Sequence, residues 1–159
     1  MNNSLHSVIF LHSLLRYFVL IATAVAATLS LIGLLGKKDF TAGNKKSALF
    51  MMIFCDIQLL VGLAVYYLSG QMQIINTGAA MQSHYNRFYA IEHPVGMVVA
   101  IILIHLGYNV VKKNISAEKK LKRLFWYSFI ALVIFLTQTP WPTKQDVGKP
   151  WLPATSVTN

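Results

Sequence analysis

The chain has 159 residues, 55% of them hydrophobic and only 12% charged, against about a quarter charged in an ordinary soluble domain. Its 14 Lys and Arg outnumber its 5 Asp and Glu, so a formal charge of +9 sits on a very apolar body. This excludes a disordered basic tail, which would be poor in apolar residues, and argues against a nucleic-acid-binding domain, whose basic residues would coat a soluble surface. The single cysteine, Cys55, lies inside an apolar run, so no disulfide framework or CxxC redox pair is available.

Four apolar runs approach the length of about 20 residues that crosses the hydrocarbon core as a helix. The first is Leu14 to Leu35, and the second, Ala48 to Leu68, is interrupted only by Asp56 and Gln58. The third, Val95 to Val111, is extended at its start by Phe88 to His93. The fourth, Leu124 to Leu136, is the shortest, and Phe125, Trp126, Tyr127 and Trp141 flank it as anchors for the headgroup boundary. The first run is longer than a signal-peptide core, and no Lys or Arg precedes it as a basic n-region, so it is expected to be retained. The expectation is an all-α, integral membrane four-helix bundle over 1–140, with spans at about 10–35, 47–69, 88–111 and 121–139.

Orientation follows from the loops. Lys37, Lys38, Lys45 and Lys46 crowd the first, and Lys112, Lys113, Lys119, Lys120, Lys122 and Arg123 the third. Short basic loops stay cytoplasmic. The second loop, Ser69 to Tyr85, has no Lys or Arg, so both termini are expected outside, N-out/C-out in a bacterial inner membrane. From Thr139 onward Pro140, Pro142, Pro150 and Pro153 break any helix, and 141–159 reads as an extended periplasmic tail that docks on a partner.

A polar or ionisable side chain within a span costs a few kcal/mol on insertion scales (about 3) and calls for a reason. His12 and His93 stand near the outer ends of two parallel spans. Counted from Lys37 and Lys112, their depths differ by about 9 Å for straight upright helices, a gap that tilt closes. Beneath His12 run Val19, Thr23, Ala26 and Ser30; beneath His93 run Gly96, Ala100 and Gly107. Such stripes leave room for a flat ligand held by two axial histidines, or let helices pack closely with nothing between them. Arg16, one turn below His12, suits a haem propionate, a quinone carbonyl or a lipid phosphate, or else a salt bridge to Glu92. Arg87 serves either role or snorkels. Asp56 and His105 both fall in the cytoplasmic half, where a carboxylate must be paired or protonated, so they are expected to form a structural pair, with a proton relay as the alternative. His6 and His84 read as solvated, and Tyr17, Tyr66, Tyr67, Tyr85, Phe88 and Tyr89 as an interfacial belt.

The stretches LHSLLRY (Leu11–Tyr17), DIQLLVGLAVYY (Asp56–Tyr67) and RFYAIEHP (Arg87–Pro94) occur in this order. Over roughly Ser4 to Trp141 the chain resembles a group of small four-helix membrane proteins common in Bacteroidota, labelled cytochrome b or cytochrome b-like. The resemblance implies one haem b with His12 and His93 as axial ligands to iron. Arg16 and Arg87 would then neutralise its propionates, and electrons would pass to or from quinol or a periplasmic carrier. A two-haem carrier would need four histidines in facing pairs. The rival expectation is a haem-free accessory subunit packed in a larger membrane complex, respiratory or protein-exporting. Here Arg16–Glu92 and Asp56–His105 are interhelical pins. No general-base constellation points to a hydrolase or transferase.

Overall fold

The computed structural model describes residues 3–152; Pro153 lies outside the described residues. Helix α1 spans Asn3–Leu35 and α2 Ala42–Leu68. A short α3 (Gln71–Asn76) and a 3-10 turn (Ala79–Met81) lead into α4 (His84–Arg87), a π-helical turn (Phe88–Glu92) and α5 (His93–Asn109), followed by α6 (Ala117–Gln138). Four helical stretches, Ser4–Leu35, Ala42–Leu68, His84–Lys112 and Ala117–Gln138, are long and apolar enough to cross a membrane.

Local chemistry sets the boundaries. Thr41 caps α2 through a reciprocal capping box with Asn44, and so the helix starts before the apolar run does. Ser116 caps α6 by accepting from the Lys119 amide, and the lysine-rich first turns are helical although polar. This explains why α6 exceeds its 13-residue apolar stretch.

Helix α1 packs on α2 and α6, while α5 packs on α6 and more lightly on α2, so α1 and α5 share both neighbours. The shared core includes Ala26, Met51, Cys55, Ala100, Ile104 and Leu124. Large apolar side chains such as Ile21, Leu60 and Ile102 point outward and stay exposed, as they would towards lipid. The stripe expected beneath His12 is packed: Thr23, Ala26 and Ser30 are fully buried. The two hydroxyls bond back to the carbonyls of Val19 and Ala26, both at 2.7 Å, which satisfies them without an outside partner.

The tail departs from the extended form expected of it. Residues 142–147 form consecutive turns, closed by Gly148 N–H to the Lys144 carbonyl at 3.0 Å and Lys149 N–H to the Pro140 carbonyl at 3.0 Å. Val147 is buried, and its carbonyl accepts from the Tyr89 hydroxyl at 2.6 Å. The prolines prevent a helix but not a compact strap folded back over the helix ends.

One main-chain gap is filled from a neighbouring helix. Pro94 has no N–H, so the carbonyl of Ala90, four residues earlier, loses the donor of an α-helical bond. The Tyr66 hydroxyl on α2 donates to it at 2.9 Å. Tyr66→Phe should therefore destabilise the protein by about 1–2 kcal/mol, read as detergent-induced unfolding, whereas Tyr67→Phe, on the exposed neighbour, should change little.

Candidate functional site

The polar residues gather at one end of the long helices, where the first half of α1, the start of α5, the close of α6 and the folded tail meet. His12 and His93, from α1 and α5, have ring centroids 6.3 Å apart with planes at 76°. Gly62 on α2 makes His12's position possible: a Cβ there would lie 3.1 Å from His12 Cε1. Gly96 plays the same part for Gln138, whose side chain occupies the space a Cβ would take, with Cγ at 2.6 Å.

Each imidazole is engaged by a different helix. Gln58 Nε2, on α2, donates to the His12 carbonyl at 3.0 Å, which fixes the orientation of the amide. The same nitrogen stands 3.4 Å from His12 Nε2. An N–H facing that ring nitrogen claims its lone pair, so the proton of a neutral His12 belongs on Nδ1. That Nδ1 is buried without a partner. On His93 the Nδ1–H donates to the Gln138 carbonyl at 2.9 Å, leaving Nε2 with a free lone pair.

This geometry decides how well a haem fits. Two axial ligands require two free lone pairs, and as packed the site offers one, on His93. A macrocycle also needs a slot beside the rings, and the Gln138 side chain fills the space over Gly96, one turn from His93. The separation of the rings suits a shared ligand, and the Gln58 and Gln138 side chains stand in the space around them. Among the described residues there is also no group of three His, Cys, Asp or Glu arranged to hold a metal ion.

Arg16 does not meet Glu92, as the interhelical pin required. Glu92 instead bonds Arg87 Nε at 2.6 Å, across the π-helical turn that separates them. Arg16 turns to the tail. Its Nη2 donates to the Trp151 carbonyl, to the Pro150 carbonyl at 3.5 Å and to the Tyr17 hydroxyl at 3.1 Å. Tyr17 donates in turn to the Trp151 carbonyl at 2.9 Å. The rings of Tyr17 and Trp141 flank the guanidinium carbon at 4.9 and 5.5 Å, within cation–π range.

A cavity of about 370 Å³ opens beside this cluster, lined by His84, Phe88, Glu92, Gln138, Lys144 and Val147. His84 stands 3.8 Å from Asp146. Lys144 donates to the Thr137 carbonyl and lies 5.2 Å over the Phe88 ring. Desolvation by the packed tail holds its amine below the usual lysine range.

Two residues before Gln58 on α2, Asp56 Oδ1 meets His105 Nε2 at 3.2 Å, and both side chains are 43% exposed. His105 Nδ1–H donates to the Ile101 carbonyl at 2.9 Å. The contact with Asp56 therefore needs a further proton, on Nε2 or on the carboxyl, and the pair is neutral overall in either form.

Sequence reasoning singled out His12, Arg16, Gln58, Glu92 and His93 but missed Gly62, Tyr66, Gln138 and the tail carbonyls. Gly62 had a signal, as an isolated glycine in a helical run. Tyr66 had an indirect one in the carbonyl that Pro94 leaves free. The carbonyls of Gln138, Pro150 and Trp151 act through the main chain and leave no trace in residue type.

The strap depends on Gly148, where a Cβ would lie 2.6 Å from the Lys144 carbonyl and 2.9 Å from that of Trp141. Gly148→Ala should therefore free the strap, read as faster tryptic cleavage after Lys144 and a red shift of tryptophan emission, while helix content stays unchanged. Comparison with protein families, curated proteins and solved structures finds no match to this chain.

Proposed function

We propose that this chain is a haem-free accessory subunit of a larger membrane complex. In this reading it is a four-helix bundle in a bacterial inner membrane, with both termini and the strap on the periplasmic side. The supporting observation is the Asp56–His105 pair. Counted along the helices, Asp56 lies about 12 Å inside Ala48 and His105 about 10 Å inside Lys112, well within a hydrocarbon core about 30 Å thick. Yet both side chains are nearly half exposed. Lipid offers no hydrogen bonds there, and a polar pair facing it is costly. A neighbouring transmembrane helix that covers the pair removes that cost.

The test uses membranes of the natural host, solubilised in mild detergent and resolved by native electrophoresis. Wild-type chain should run in an assembly several times its own 17.8 kDa. Asp56→Leu with His105→Leu should release it while leaving its helix content intact. Wild-type protein migrating alone would overturn the reading.

The one-haem cytochrome is the second reading, favoured by the 6.3 Å approach of His12 and His93. It requires Gln58 to leave the His12 ring and Gln138 to leave the space over Gly96. A reduced-minus-oxidised spectrum of protein expressed with ample haem separates the two. A b-type α-band at about one haem per chain, lost in His12→Ala and in His93→Ala, would displace the haem-free reading. A blank spectrum from folded protein would remove the cytochrome.

A further inference from the structure

Arg16 is a buried cation without an anion. Only 9% of it is exposed, and among the described residues no carboxylate lies within salt-bridge distance of it. Its Nε is buried with no hydrogen-bond partner, and every acceptor on Nη2 is neutral: the carbonyls of Pro150 and Trp151 and the Tyr17 hydroxyl. A guanidinium taken out of water without a counter-charge is among the costlier arrangements in a protein interior.

Its surroundings indicate what the counter-charge is. The folded strap covers Arg16 near the close of α6 at Gln138. The side chains there have the character of a membrane–water interface. Tyr17, Trp141 and Trp151 supply amphipathic rings, and the nearby strap carries Lys144 and Lys149. A guanidinium presents its N–H groups as a planar fork that matches two oxygens of a phosphate. Here two carbonyl oxygens of the strap occupy part of that fork.

We infer that Arg16, with the Tyr17 hydroxyl, is the seat of a phosphate-binding site at the strap end of the protein, supplied by a phospholipid headgroup or by free phosphate. The carbonyls of Pro150 and Trp151 stand where phosphate oxygens would bind. Phosphate and the last turn of the strap therefore compete for the same donors, and filling the site lifts Trp151 away.

The full-length chain tests this in two arms. In the first, protein from vesicles of phosphatidylethanolamine and phosphatidylglycerol is extracted in detergent, and native mass spectrometry counts the phospholipid that each chain retains. In the second, delipidated protein is titrated with inorganic phosphate and tryptophan emission is followed. The expected result is one more retained phospholipid on wild type than on Arg16→Gln, or a saturable phosphate titration at least about tenfold weaker in Arg16→Gln. Retention identifies the lipid as the source, and titration alone identifies free phosphate. Arg16→Lys keeps the charge without the fork, so it should bind more weakly than wild type in whichever arm is positive, and it stands in if Arg16→Gln does not fold. Equal lipid retention by wild type and Arg16 variants, with no phosphate titration of wild type, would overturn the inference.

Discussion

Hydrocarbon supplies no hydrogen bonds, so every polar group in a membrane-crossing helix must find its partner within the protein, in another protein or at the water boundary. Much of the architecture around the site follows from that constraint. Pro94 leaves the Ala90 carbonyl without its α-helical donor, and Tyr66 reaches across from α2 to supply one. Thr23, Ser30 and Ser128 turn their hydroxyls back onto their own helices, which lets small residues sit at the helix contacts without needing an external partner. Gln58 answers the His12 carbonyl in the same way. Of these, the Gln58 and Tyr66 bonds cross between helices, and they help to set the relative heights and rotations of α1, α2 and α5.

The spans were legible because their signal is additive: length, hydropathy and the absence of charge are summed over about 20 residues, and no single contact decides the sum. Their starts were less legible, since α2 and α6 begin with polar turns held by the caps Thr41 and Ser116, outside the apolar runs. The pairing of Asp56 with His105 was readable, since each carries a need that few residues at that depth can meet. Arg16 was not. Its expected partner Glu92 is taken by Arg87, which lies on the same helical stretch, and Arg16 instead meets carbonyls more than 130 positions away. A main-chain carbonyl belongs to every residue and marks none. The fold of the strap was hidden for the same reason, because its prolines forbid a helix without specifying the turns that replace it.

The histidines show why proximity falls short of function. Spacing suggested that His12 and His93 converge, and their rings stand 6.3 Å apart. Each imidazole, however, has two nitrogens with different roles, and the neighbours choose between them. The Gln138 carbonyl takes the Nδ1 proton of His93 and leaves a lone pair at Nε2; Gln58 occupies the lone pair of His12 and leaves an N–H at Nδ1. The result is one acceptor and one donor rather than two ligands for iron. An axial pair would need both glutamines to give way, which makes Gln58 and Gln138 as decisive for the chemistry as the histidines themselves.

The two polar regions fail to satisfy themselves in opposite ways. At the strap end the chain folds its own last turns over the problem, and the carbonyls of Pro150 and Trp151 are neutral substitutes for the charge that Arg16 lacks. Such substitutes are displaceable, because an anion improves on a carbonyl at the same donors. Around Asp56 and His105 the described residues offer no comparable cover, and the pair is neutral but left half exposed. Neutrality lowers the cost of facing lipid without removing it, since hydrogen-bonding capacity on the carboxyl still goes unmet. The strap answers Arg16 with its own carbonyls, whereas Asp56 and His105 answer only each other and keep a surface that the described residues leave open.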